Sequence, residues 1–309
     1  MMINSFLNYL RDERNYSEKT IVSYRVDLFQ FEDFFKKESE EIDFTTVHAD
    51  VVRKWVVYLM EKQHCKPTSV NRKLSSLRSF YHFLLRKKHI TVNPMLKVVG
   101  PKNNKPLPSF LKEKDMDRLL DEVSFGEDFE GCRDKTILET FYATGMRLSE
   151  LIGLDDADVD FSSKLIKVTG KRNKQRLIPF GKELEENLLI YIKVRNGAVP
   201  EREKTFFVRK NGKRMYPVQV YRLVRRSLSK VVTLKKRSPH VLRHTFATAM
   251  LNDNAQLNSV KELLGHESLQ RRKSTRIQLL KNLKKFMNKL IPERKKGGFY
   301  GSKNSSDSF

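Results

Sequence analysis

The run Ala143-Thr144-Gly145-Met146-Arg147-Leu148-Ser149-Glu150-Leu151 joins two helical stretches through a glycine. Ile137, Leu138, Phe141 and Tyr142 lead into it at helical spacing, so a helix is expected to break at Thr144-Gly145. Arg147 then stands at a new helix start. Its guanidinium is a planar fork of donors that fits two oxygens of a phosphate, a geometry lysine lacks. Downstream comes Pro239-His240-Val241-Leu242-Arg243-His244-Thr245-Phe246-Ala247-Thr248. His240 and Arg243 are three apart and share a helix face, and an imidazole can give or take a proton near neutral pH. Leu263-Leu264-Gly265-His266 follows with a helix-end signal.

The chain has 309 residues, enough for two domains. It holds 61 Lys+Arg against 37 Asp+Glu, a formal charge of +24, which points to a polyanionic partner with nucleic acid first. Residues 271–296 alone carry 11 Lys/Arg and one acid, and the remainder is still basic at +14. Cys65 and Cys132 are the two cysteines, too few for a disulfide framework or a zinc cluster. The first residues are too polar for a signal peptide, and no apolar run approaches the ~18 residues of a membrane span. A cytoplasmic protein without a membrane role is the expectation.

The first hundred residues read as helices. Ser17 can cap a helix that carries Ile21, Tyr24, Leu28, Phe31 and Phe35. Val51, Trp55 and Leu59 form a second stripe, and Val70, Leu74, Leu77, Tyr81 and Leu84 a third after Pro67-Thr68. The opposite face of that third helix holds Arg72, Ser75 and Arg78: a solvated basic face, or a contact surface for phosphates. Asn93-Pro94 ends the region, and the proline-rich stretch from Pro101 to Pro108 reads as an extended linker. The expected division is 1–95, a linker at 96–110, and a second domain at 111–269. In that domain a helix is expected near Lys114–Val123. Lys164–Thr169 and Gln175–Pro179 read as two strands of a hairpin turned by Gly170-Lys171-Arg172-Asn173-Lys174, and helices resume from about Val218.

Taken in order, these boxes resemble the catalytic domain of the tyrosine recombinases (the phage integrase family), most closely the bacterial Xer type. The resemblance spans roughly residues 3 to 268. It implies an all-α, SAM-like core-binding domain followed by a mixed α/β, mainly helical catalytic domain. It implies strand exchange through a 3′-phosphotyrosyl link, which needs neither metal nor ATP nor another cofactor. Arg147, Arg243 and His266 would hold the scissile phosphate, with Glu150 supporting Arg147. His240 and Lys171 would move protons, Lys171 entering the minor groove and protonating the departing 5′ oxygen. Lys174 on the same hairpin is a competitor for that role and otherwise a DNA contact, as are Arg72 and Arg78. His244 reads as a packing or hydrogen-bonding residue. The implied partner is a double-stranded recombination site bound by four protomers, with or without a second recombinase. Chromosome-dimer resolution is the role expected of the Xer type. A phage or transposon integrase and a catalytically inactive DNA-binding relative are the alternatives, and a generic basic binding protein is the bland one.

One part departs from the pattern. The family places its nucleophilic tyrosine nine residues after the Gly-His pair, where this chain has Thr275. Tyr300 is the one tyrosine beyond His266, in a Gly-rich context without a helix to orient it. Codons read from the third base of each residue, from Leu269 onward, can encode Ala-Thr-Thr-Gln-Val-Tyr-Thr-His. The tyrosine codon then combines the last base of Ser274 with the first two of Thr275. The same frame can reach a stop across Arg294 and Lys295. Residues 270–309 therefore read as an out-of-frame tail, with true divergence and a natural inactivating mutation as the competing explanations.

Overall fold

A computed structural model describes residues 2–38, 43–103, 109–170, 173–234, 236–252, 260 and 264. The chain divides into two compact units, Met1–Pro106 and Leu107–Phe309.

All regular elements described in the first unit are helical: α1 (Met2–Asn8), a π-helical turn (Tyr9–Glu13), α2 (Glu18–Glu38), α3 (Ala49–Glu61), α4 (Pro67–Arg86) and a 3-10 turn (Pro94–Lys97). The Ser17 hydroxyl accepts from Thr20 N at 3.4 Å at the start of α2. Proline fits the first turn of α4, where its missing N–H costs no helix bond, so the helix begins at Pro67 itself. Ile21, Leu28, Phe31 and Phe35 are buried, and Tyr24 is half-buried. On α3 the inward residue is Val52 with Trp55 and Leu59; Val51, expected in that stripe, is half-buried. Val70, Leu74, Leu77, Tyr81 and Leu84 are all buried on α4. Aromatic edges knit these helices together. Trp55 meets Phe31 at 5.0 Å between ring centroids, and Phe80 meets Phe44 at 5.3 Å and Phe6 at 5.5 Å.

A buried carboxylate ties α2 to α4. Asp27 accepts from both terminal nitrogens of Arg72 (2.5 and 2.7 Å), from Lys73 Nζ (3.2 Å) and from the Ser76 hydroxyl (2.8 Å). Removing it would leave buried Lys73 without its carboxylate, which is far costlier than losing a surface pair. Asp27→Ala should destabilise this unit by about 3 kcal/mol or more. Urea unfolding followed by the emission of Trp55, the single tryptophan of the chain, reads that loss directly.

The linker starts later than expected. Residues 96–101 are fastened to the first unit: Arg53 donates to Lys97 O, Arg78 to Val98 O and Asn71 to Pro101 O, each within 3.1 Å. Met95 and Val98 join the aromatic core.

The second unit opens with α5 (Glu113–Asp117) and a π-helical turn (Arg118–Glu122), which together fill the helix expected near Lys114–Val123. Then come α6 (Phe129–Thr144), α7 (Leu148–Ile152), β1 (Val159–Asp160), β2 (Leu165–Thr169), β3 (Gln175–Pro179), α8 (Lys182–Ala198), α9 (Pro217–Val231) and α10 (Pro239–Asn252). The three strands form one antiparallel sheet in the order β1-β2-β3, with Ile166 opposite Ile178 and Val168 opposite Arg176. Helix α8 precedes the point from which helices were expected to resume. It buries Leu184, Leu188, Tyr191 and Arg195. The core gathers α6, α8, α9, α10 and the inner sheet face around Phe141, Tyr191, Phe206, Phe207 and Phe246.

Candidate functional site

Gly145 sets the site. It closes α6 in the left-handed region at φ 58°, which glycine adopts without penalty. A side chain there would also collide with Phe246, 2.4 Å from an added Cβ. Two residues later the chain enters α7 with Arg147 as its cap, and Glu150 reaches back. One Glu150 oxygen accepts from Arg147 N at 2.7 Å and the other from Arg147 Nη1 at 2.6 Å. Arg147 is therefore held at both backbone and side chain while staying 29% exposed.

A second arginine completes the pair. Arg176 on β3 forks onto the same carboxylate, Nη1 to Oε1 at 2.6 Å and Nη2 to Oε2 at 2.8 Å. The Glu150 side chain is fully buried. Burial alone would raise its carboxyl, but the bonds from Arg176 and the backbone and side chain of Arg147 outweigh that and hold it down at about 2. Gly170 ends β2 beside this group: a methyl placed on it would stand 3.5 Å from Glu150 Oε1 and 3.9 Å from Arg147 Nη1. The base of the hairpin turn thus lies against the arginine pair.

Helix α10 contributes the third guanidinium. Arg243 is buried and donates to Gly145 O at 2.5 Å and to Leu264 O. It ties the α6–α7 turn to the segment just before Gly265-His266. Desolvation, then the repulsion of Arg147 and Arg176 against the attraction of Glu150, brings its pKa down to about 10, so it stays charged at neutral pH. His240 is exposed one turn earlier on α10. His244, partly desolvated beside His240 and Arg243, is held below the ordinary imidazole value. Among the described residues three arginines stand against one carboxylate here, an excess of positive charge suited to an oxyanion.

Of the residues expected from sequence, Arg147, Glu150, Arg243 and His240 lie on the α6–α7 turn, α7 and α10. Lys171, His266 and Thr275 fall outside the described residues, as does the tail from 270. Lys174 is exposed where the hairpin turn rejoins β3. Arg72 and Arg78 lie in the first unit and have structural partners there, Asp27 and the Val98 carbonyl, although Arg72 stays half-exposed. Arg176 was not singled out. The signal was present: β3 alternates, and Arg176 shares the inward face with fully buried Ile178.

The phage integrase family model matches residues 109–276, and the N-terminal SAM-like domain of phage integrases matches residues 3–88. The chain belongs to the phage integrase family. Within it the resemblance is to the Xer type. The tyrosine recombinase XerC of Chlorobaculum tepidum is 38% identical over 294 residues, covering 86% of this chain and 87% of that protein. That of Halalkalibacterium halodurans is 38% identical over 273 residues, covering 86% and 89%. Solved structures agree in fold. The Tn1549 transposon integrase in complex with transposon right end DNA has TM-score 0.69 at 18% identity, covering 91% of this chain and 99% of that one. XerH site-specific recombinase bound to difH substrate has TM-score 0.66 at 18% identity, covering 89% and 83%. Among the described residues no helix is long and apolar enough to cross a membrane, and no three His, Cys, Asp or Glu side chains converge as metal ligands.

Proposed function

We propose that this chain is a Xer-type site-specific recombinase in which Arg147, Arg243 and His266 hold the scissile phosphate of a DNA duplex. His240 and Lys171 move protons, and the nucleophile belongs at the position now written Thr275. The observation that carries this reading is the convergence of Arg147 and Arg243 on the Gly145 turn. Two neighbouring guanidiniums suit a phosphodiester that gains charge in the transition state, which supports the reading. A tyrosine attacking phosphorus keeps the bond energy in a covalent link, which a 5′ hydroxyl of the partner strand then reverses. Four protomers on paired duplexes, with or without a second recombinase, would carry out two such exchanges. Resolution of chromosome dimers in the cytoplasm is the role this suits.

The written C-terminal segment is read as out of frame from about residue 270. The recoverable Tyr-Thr-His supports this. The polypeptide as written would bind DNA without cutting it.

Selection from a pool of random duplexes with the full chain tests the central claim. An inverted repeat of two half-sites is expected to emerge, with affinity falling steeply with salt. Recovery of no common sequence, or equal retention of single-stranded RNA, would favour a generic basic binding protein.

A further inference from the structure

The recombinase reading leaves Arg176 without a role, yet both of its terminal nitrogens fork onto the carboxylate that holds Arg147, at 2.6 and 2.8 Å. Glu150 is a fully buried carboxylate, and among the described residues Arg147 and Arg176 pair with it. Arg147 spends its backbone N–H and one terminal nitrogen on that carboxylate. Alone with Glu150, Arg147 would form a self-neutralised pair, presenting little net charge to an incoming phosphate. Arg176 adds a second guanidinium on the same two oxygens, so the trio carries a net positive charge. It is also the more enclosed of the two, 13% exposed against 29% for Arg147. The less exposed arginine balances the carboxylate, and the more exposed one faces outward. Position in the sheet fixes this division. Arg176 lies opposite Val168 in the β2–β3 register, two residues beyond Lys174, whose carbonyl accepts from Gly170 N at the base of the hairpin turn.

Resting on the recombinase reading above, we propose that Arg176 is a positioning residue: it neutralises Glu150 so that Arg147 keeps its charge for the DNA phosphate. It acts through Glu150 and does not itself touch the reacting atoms. The alternative, that Arg176 only braces β3 against α7, makes different predictions for a pair of substitutions.

The test uses the full-length chain and the inverted-repeat duplex recovered by selection, with affinity read by fluorescence anisotropy over a range of salt. Arg176→Gln is expected to weaken binding about tenfold. It should also lower the slope of log K against log salt by about one, as loss of one phosphate contact does. Adding Glu150→Gln removes the charge that captured Arg147. The double variant should then return to within about threefold of the parent and regain its slope. Arg176→Lys keeps the charge without the fork. It is expected to hold the parental slope, and it serves as the second variant if Arg176→Gln does not fold by circular dichroism. Parental affinity and slope in folded Arg176→Gln would overturn the proposal. So would a double variant that binds no better than the single one, or a lysine variant that loses the slope. If the parent chain itself fails to bind the duplex, it is the recombinase reading that falls, and this proposal with it.

Discussion

The polypeptide with Thr275 will leave no covalent protein–DNA product on a duplex that it binds, whereas a gene corrected by one base near codon 270 will. The expected ratio is roughly 10⁴-fold or more, the scale on which loss of a catalytic nucleophile registers. Threonine does not substitute for tyrosine here, because its hydroxyl is far less acidic than a phenol and needs a strong base to attack phosphorus. The measurement is a denaturing gel of labelled suicide duplex incubated with each form. A protease-sensitive shifted band should appear with the corrected chain alone. The intact mass of the native protein gives an independent check. The in-frame reading should be shorter than 309 residues, ending near the codons now written Arg294-Lys295. A native mass that matches the written tail, together with a covalent band from Thr275 protein, would defeat the frame reading and its chemistry at once.

The helical first unit and the catalytic framework were legible because their signals are local. A stripe such as Val70, Leu74, Leu77, Tyr81 and Leu84 needs one element to be read, and so does the Thr144-Gly145 break. Helix α8 was less legible because its inward face ends in a charge. Leu184, Leu188 and Tyr191 keep helical spacing, but the fourth position is Arg195, buried at 2% and paired with Asp156 and Phe206 O, while Leu189 and Ile190 face outward. The apolar pattern of that segment therefore points the wrong way. Arg72 and Arg176 illustrate the same difficulty at the level of function. Each reads as a basic residue on a polar stretch. Only the fold reveals that a buried carboxylate from a distant element, Asp27 or Glu150, determines what that arginine does. The linker boundary shifted for a related reason. Pro101 and its neighbours look extended and soluble, yet their carbonyls are claimed by Asn71, Arg53 and Arg78 of the preceding helices.

Glu150→Ala should be the most destabilising single change in the second unit's polar framework, at about 3–5 kcal/mol. It strips the shared carboxylate from two arginines, one of them nearly enclosed, and leaves their charges facing Arg243 across the site. Glu150→Gln keeps the volume and isolates the charge. The pH dependence of that difference has a definite sign. The folded carboxyl sits at about 2, below an unfolded value of 4.5. A depressed carboxylate stabilises fully above its unfolded pKa and loses that contribution as pH falls toward its folded one. The gap between parent and Glu150→Gln should therefore be on the order of 3 kcal/mol at pH 6–7. It should begin to close below about pH 5 and keep narrowing toward pH 2. Calorimetric or circular-dichroism unfolding of both proteins from pH 7 down to pH 3 measures it, since the other carboxylates cancel in the difference. A gap that is constant with pH would mean that Glu150 acts by shape alone. One that widened on acidification would mean that its carboxyl is raised on folding, and that the two arginines do not dominate its environment.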